Sequence, residues 1–129
     1  MSKSGQLTLC IDFDGVIHDY VLGDWREGEI YGKPILGAID ALFRLRSRGW
    51  NVIIHTTRGR SEAARENIRN WLAAYGDRDY PDEFALWNET RDKVDFPFTI
   101  TDKKLPAIAY IDDRAVRFTN WIDIIRYFS

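Results

Sequence analysis

Leu9-Cys10-Ile11-Asp12-Phe13-Asp14-Gly15-Val16-Ile17 is an apolar run interrupted by two carboxylates one residue apart and then by a glycine. Residues 7 to 12 are apolar on both faces except for Thr8, the pattern of a short strand buried in the middle of a parallel sheet. The glycine marks the point where the chain leaves the sheet, so Asp12 and Asp14 are presented above the strand end. Two acids this close repel each other unless a positive group, most often a metal ion, lies between them and a substrate.

Outward from that stretch, residues 13 to 33 lose periodicity and are punctuated by Gly15, Gly23, Gly28 and Gly32, as expected of a loop or small hairpin over the strand end. Pro34 suits the first position of a helix whose apolar stripe is Ile35, Ile39, Leu42 and Phe43, stopped by Gly49. Trp50 to His55 reads as a second strand ending in Thr56-Thr57-Arg58-Gly59. Ser61 caps a second helix with Ala64, Ile68, Trp71, Leu72 and Tyr75 on its apolar face. Phe84-Ala85-Leu86-Trp87 is expected to form a third short strand, and residues 88 to 104 to be irregular, anchored by Phe96, Phe98 and Ile100. Ala107 to Ile111 is a strong strand ending in Asp112-Asp113, and a last helix covers about residues 119 to 128.

The predicted fold class is therefore α/β: a three-layer, Rossmann-like, mostly parallel sheet with helices on both faces and no large cap domain. Parallel strands collect their C-terminal ends on one edge, here Asp12, Asp14, Thr56, Asp112 and Asp113. For the two acidic sets to meet, the strand ending at Asp112 must lie beside the first strand, with the second strand on its other side.

The 129 residues suffice for one domain, residues 1–129, and five Trp, six Tyr and seven Phe rule out a disordered chain. A net charge of −2 argues against binding duplex nucleic acid through a basic face. The single cysteine, Cys10, excludes an internal disulfide and fits a reducing compartment. No stretch reaches the roughly 20 apolar residues of a membrane span, and the first residues lack an apolar signal core. A soluble, cytoplasmic protein is expected.

Four carboxylates at one edge call for a hard divalent cation, and Mg²⁺ suits an oxygen donor set completed by water and a substrate phosphate. With phosphate charge screened, one carboxylate can attack phosphorus in line, while a second carboxyl protonates the leaving oxygen and later deprotonates water. Thr56 can donate to a phosphate oxygen, and a lysine should balance the remaining charge.

Asp12-Phe13-Asp14-Gly15-Val16, the apolar strand ending at Thr56, and Tyr110-Ile111-Asp112-Asp113-Arg114 resemble motifs I, II and IV of the haloacid dehalogenase superfamily of phosphohydrolases. The resemblance spans most of the chain in the right order. It implies that Asp12 is the nucleophile forming an aspartyl-phosphate and Asp14 the general acid/base. It also implies Mg²⁺ binding by Asp12, the backbone carbonyl of Asp14, and Asp112, with Asp113 assisting. Gly15, Thr57, Arg58 and Arg114 are assigned to the substrate. For the lysine of motif III, Lys93 is preferred on geometry, with Lys104 and Arg91 as alternatives. Lys104 would lie up to about 26 Å from Asp112 if residues 105 to 111 were fully extended.

The short spacings resemble capless members, whose open sites accept bulky substrates, and Asp112-Asp113-Arg114 is similar to the phosphatase domain of phage-type polynucleotide kinases. The expected partner is thus a phosphorylated substrate, such as a nucleotide or polynucleotide end held by Arg58, Arg60 and Arg114, with Trp25 and Tyr20 as candidate stacking surfaces. No membrane and no obligatory protein partner is indicated. His18 and His55 are expected to be structural or exposed. The alternative function is a non-hydrolytic phosphate-binding or receiver-like signalling module. Receiver domains, however, place the phosphorylated aspartate on the third strand, whereas here the spaced acid pair comes first.

Overall fold

β1 (Thr8–Asp12) occupies the middle of a five-stranded sheet with the order β3-β2-β1-β4-β5. The structure is a computed structural model that describes residues 7–19, 32–103, 107, 109–112, 116–117 and 120–128; Arg58, Ala109, Asp112, Val116 and Arg117 are described in backbone alone. The other strands are β2 (Asn51–His55), β3 (Thr99–Thr101), β4 (Ala109–Asp112) and β5 (Val116–Arg117). The described helices are α1 (Ala38–Ser47), α2 (Glu62–Gly76), α3 (Pro81–Thr90) and α4 (Trp121–Tyr127). Every strand pairing is parallel. The chain is therefore α/β with an open parallel sheet, and β1 lies between β2 and β4 as the two acidic strand ends require.

The alternation of side chains along each strand divides the core. Leu9, Ile11, Val52, Ile54, Ile100 and Ile111 join Ile39, Leu42, Ile68, Leu72, Phe84, Trp87, Trp121 and Ile124 of the helices in one apolar cluster. Cys10 and Ile53, neighbours in the β1–β2 register, are also buried, on the alternate positions.

Helix boundaries follow local chemistry. The Ser61 side chain accepts from the Ala64 N–H at the start of α2, and Gly49, at φ 97°, lets the chain turn after α1. The helix does not begin at Pro34: α1 starts at Ala38, and Pro34 instead bridges to His18. Residues 84–87 are helical rather than extended. Pro81 at the first turn and the acidic pair Asp82 and Glu83 favour a helix N-terminus. Phe84 and Trp87, three residues apart, are fully buried while Leu86 between them is exposed, a helical rather than a strand period. Burying each large side chain is worth about 1.5–3 kcal/mol, enough to set the orientation of α3.

The third strand lies later, at Thr99-Ile100-Thr101, inside the segment expected to be irregular. Phe96 and Phe98 are buried as anticipated and join Phe43 and Phe84 in an aromatic cluster. Tyr80 stacks on Phe43 and donates its hydroxyl hydrogen to Asp40; burial and that carboxylate push the phenol up to about 12, which keeps it a donor. Among the described residues no helix is long and apolar enough to cross a membrane.

Gly76, the last residue of α2, has no room for a side chain: a Cβ there would lie 2.7 Å from Phe84 and 3.2 Å from Ile39. Gly76→Ala gains about 1 kcal/mol of helix propensity but overpacks two core residues, which typically costs about 1–3 kcal/mol. The expected outcome is a net loss of stability, read as a lower urea midpoint with an unchanged slope.

Candidate active site

Asp12 ends β1 directly beside His55, the last residue of β2, and His55 in turn pairs with Thr101 at the end of β3. On the other side Ile11 pairs with Ile111, which brings the backbone of Asp112 next to Asp12. One sheet edge thus collects the ends of four strands. The His55 Nδ1 lies 3.3 Å from Asp12 Oδ1. The Asp12 side chain is about two-fifths exposed (39%), so the carboxylate is anchored yet reachable from solvent.

Beyond Asp12 the chain folds back on itself. The Phe13 N–H donates to the His55 carbonyl at 3.1 Å, extending the β1–β2 pairing by one bond. The Phe13 carbonyl then accepts from the N–H groups of Ile17 and His18, both at 2.9 Å, and the Gly15 N–H returns to the His18 carbonyl at 2.9 Å. Gly15 supplies the left-handed φ of 82° that this closure needs. Phe13 is buried beneath the loop while Asp14 remains part-exposed above it. The Asp14 Oδ1 meets the Nδ1 of buried His18 at 2.8 Å.

Thr56, buried directly after β2, donates its N–H to the Thr101 carbonyl at 3.0 Å and accepts from the Gly59 N–H at 3.0 Å. These bonds hold the one-turn helix Thr57–Arg60 against the end of β3, with Thr57 and Arg60 exposed. Arg58 lies in the same turn. Asp113, Arg114, Lys104, Trp25 and Tyr20 lie outside the described residues.

No protein-family model, curated protein or solved structure matches this chain. Function must be argued from the geometry.

Of the expected site, Asp12, Asp14, Gly15, Thr56 and Thr57 fall on one edge, and the Asp112 backbone joins them. The cationic candidates sit differently. Lys93 follows α3 with its ammonium 3.7 Å from the Glu62 carboxylate at the start of α2. Arg91 stacks on the Trp87 ring, 3.8 Å from its centroid, and bonds Glu66 and Asn70. Both belong to a charged network in which Arg69, though buried, pairs with Glu62 and Glu66 at 2.7 and 3.0 Å, and Arg65 joins Glu62 to the Gly59 carbonyl. Through Arg65 that network is tied to the Thr57–Arg60 turn.

One residue at the edge, Lys103, escaped the sequence reading. Lys103 is exposed two residues beyond Thr101, so it leaves the sheet at the same edge; its N–H donates to the Thr101 hydroxyl. His18 and His55, expected to be structural or exposed, are buried and part-buried, and each is bonded to one of the paired acids. The signals for them were the tight Asp14–His18 spacing around Gly15 and the equal strand positions of Asp12 and His55.

Chemically the edge offers one anchored carboxylate, a second carboxyl above it, a buried hydroxyl and a second acidic backbone position. Among the described residues no group of three or more His, Cys, Asp or Glu side chains is arranged for a metal. Asp12 and Asp14 offer the hard oxygen donors that suit Mg²⁺.

The Arg69 guanidinium, bonded to Glu62, holds that carboxyl below its ordinary value of 4.5. A carboxyl with a lowered folded pKa stabilises the fold above its unfolded pKa, and that contribution is lost as pH falls through the folded value. Glu62→Gln is therefore expected to lower the melting temperature at pH 7, and the difference from wild type should shrink progressively as melts are recorded below about pH 4.5.

Proposed function

We propose that the protein is a Mg²⁺-dependent phosphomonoesterase of haloacid dehalogenase type that works through an aspartyl-phosphate on Asp12. The observation that carries the proposal is the placement of Asp12 and Asp14 on the same edge with distinct holders, His55 on β2 for one and His18 in the following loop for the other. Different surroundings suit the two carboxyls to different tasks.

In the first half-reaction an Asp12 oxygen attacks phosphorus in line, the bond from phosphorus to the substrate oxygen breaks, and Asp14 gives its proton to that leaving oxygen. In the second half a water oxygen attacks the same phosphorus, Asp14 takes the water proton, and the Asp12 carboxylate departs as inorganic phosphate forms. Thr56, which follows β2 at the same edge, would hold a phosphoryl oxygen during both steps. Mg²⁺, when bound, neutralises phosphate charge so that an anionic carboxylate can approach. Asp12, the Asp14 carbonyl and Asp112 would hold it, with Asp113 assisting. For the balancing cation we propose Lys103, which leaves the sheet at that edge, or Lys104 after it; Lys93, preferred from the sequence on a strand at residues 84–87 that is in fact helical, is paired with Glu62.

The finer architecture belongs to the same proposal. A third layer would cover the buried Cys10 and Ile53 on the second sheet face, and the edge would carry no large cap, the chain between the acid pair and β2 having too few residues for one. An open edge suits a bulky substrate, and we assign it a nucleotide or nucleic-acid terminal phosphate, with Gly15, Thr57, Arg58, Arg60 and Arg114 along its path. A cytoplasmic setting fits a chain whose one cysteine is unbridged.

Purified protein is expected to hydrolyse an aryl phosphate with Mg²⁺ and to lose that activity in EDTA. Asp12→Asn should reduce turnover by about 10³-fold or more while the circular dichroism spectrum is unchanged, because it removes the attacking group rather than a packing contact. Full metal-dependent activity in Asp12→Asn would overturn the mechanism.

A further inference from the structure

His18 is an unusual residue to find at an exposed catalytic edge. Its ring is buried, with 1% of its surface accessible. One face stacks on Phe13 at 5.3 Å and 8° between planes, and its edge meets Trp71 at 5.3 Å and 86°. Trp71 is itself held, donating its indole N–H to the Gly32 carbonyl at 3.2 Å. Gly32 closes the cage from the far side: at its φ of 94° a Cβ would come within 3.3 Å of the His18 Nε2. The ring therefore has one orientation, and in that orientation Nδ1 faces Asp14.

We propose that His18 is the positioning residue for Asp14, its caged ring holding Oδ1 so that the carboxyl keeps one rotation toward the leaving oxygen of the substrate. The inference rests on the phosphatase reading above and deepens it. The caged ring cannot turn away from Asp14, so the carboxyl it holds is fixed in rotation, which a general acid needs in order to meet the leaving oxygen.

The loop itself does not depend on this side chain. Its closing bonds run between the main-chain groups of Phe13, Gly15, Ile17 and His18. Substitution of the imidazole can therefore separate a positioning role from a merely structural one. His18→Phe keeps the stack on Phe13 and removes the donor, while His18→Asn places an amide N–H near the position of Nδ1.

General-acid help matters most for a poor leaving group, so the test compares an alkyl phosphate with a nitrophenyl phosphate in the same Mg²⁺ buffer. For His18→Phe, kcat on the alkyl phosphate is expected to fall about 10–100-fold with KM within about twofold. The alkyl-to-aryl ratio of kcat should fall at least about tenfold, and His18→Asn should restore most of it. Equal losses on both substrates, or no recovery with Asn, would overturn the positioning role while leaving the phosphatase assignment intact. Wild-type protein inert on both substrates would overturn the phosphatase assignment and this role with it.

Discussion

The parallel register on either side of β1 is the constraint from which the candidate site follows. Because Asp12 pairs with His55 and Ile11 with Ile111, the ends of β2 and β4 cannot lie anywhere but beside the end of β1. A parallel sheet buried in this way tolerates no slip, since moving one strand by one residue would exchange Leu9 and Ile11 for Cys10 and Asp12 in the main apolar cluster. The cost of that exchange protects the geometry of the edge. Core packing and site geometry are thus one requirement, and Leu9, Ile11, Val52 and Ile54 fix the candidate site through the register.

Above that edge the second requirement is electrostatic. Two carboxylates separated by one residue would repel unless each has a partner, and among the described residues each meets the Nδ1 of a histidine. His55 comes from the neighbouring strand and His18 from the loop that carries Asp14. The described basic residues near the start of α2 are engaged with one another's partners: Arg69 with Glu62 and Glu66, Arg91 with Glu66, Lys93 with Glu62. Arg65, which shares Glu62 with Arg69 and Lys93, ties the turn that follows Thr56 to the start of α2 through the Gly59 carbonyl.

Much of this was legible in the residues. The apolar runs of β1, β2 and β4 are long enough to declare strands, and their acidic or hydroxyl endings declared which edge mattered. Thr99-Ile100-Thr101 was not legible, because a three-residue strand with one apolar side chain gives no periodicity and exists only through its pairing with β2. Phe84-Ala85-Leu86-Trp87 misled because four apolar residues in a row suit a buried strand or a helix face equally; Pro81 and the acids after it held the deciding information. Missing β3 also hid Lys103, since its position at the edge depends on where that strand ends. The contacts of the histidines were hidden for a different reason. A partner four residues away is recognisable in a helix, but here the contact comes from a glycine-mediated loop, and the His55 contact from a register that only the paired sheet defines.

The central claim is that Asp12 carries the phosphoryl group. The most direct measurement is borohydride trapping during turnover of a phosphomonoester with Mg²⁺, followed by peptide mass spectrometry. Hydride reduces an acyl phosphate to an alcohol, so the expected result is homoserine at position 12 that appears only with substrate present, with Asp14 unchanged. Active protein whose residue 12 is recovered as aspartate, or whose reduced residue lies elsewhere in the chain, would contradict it.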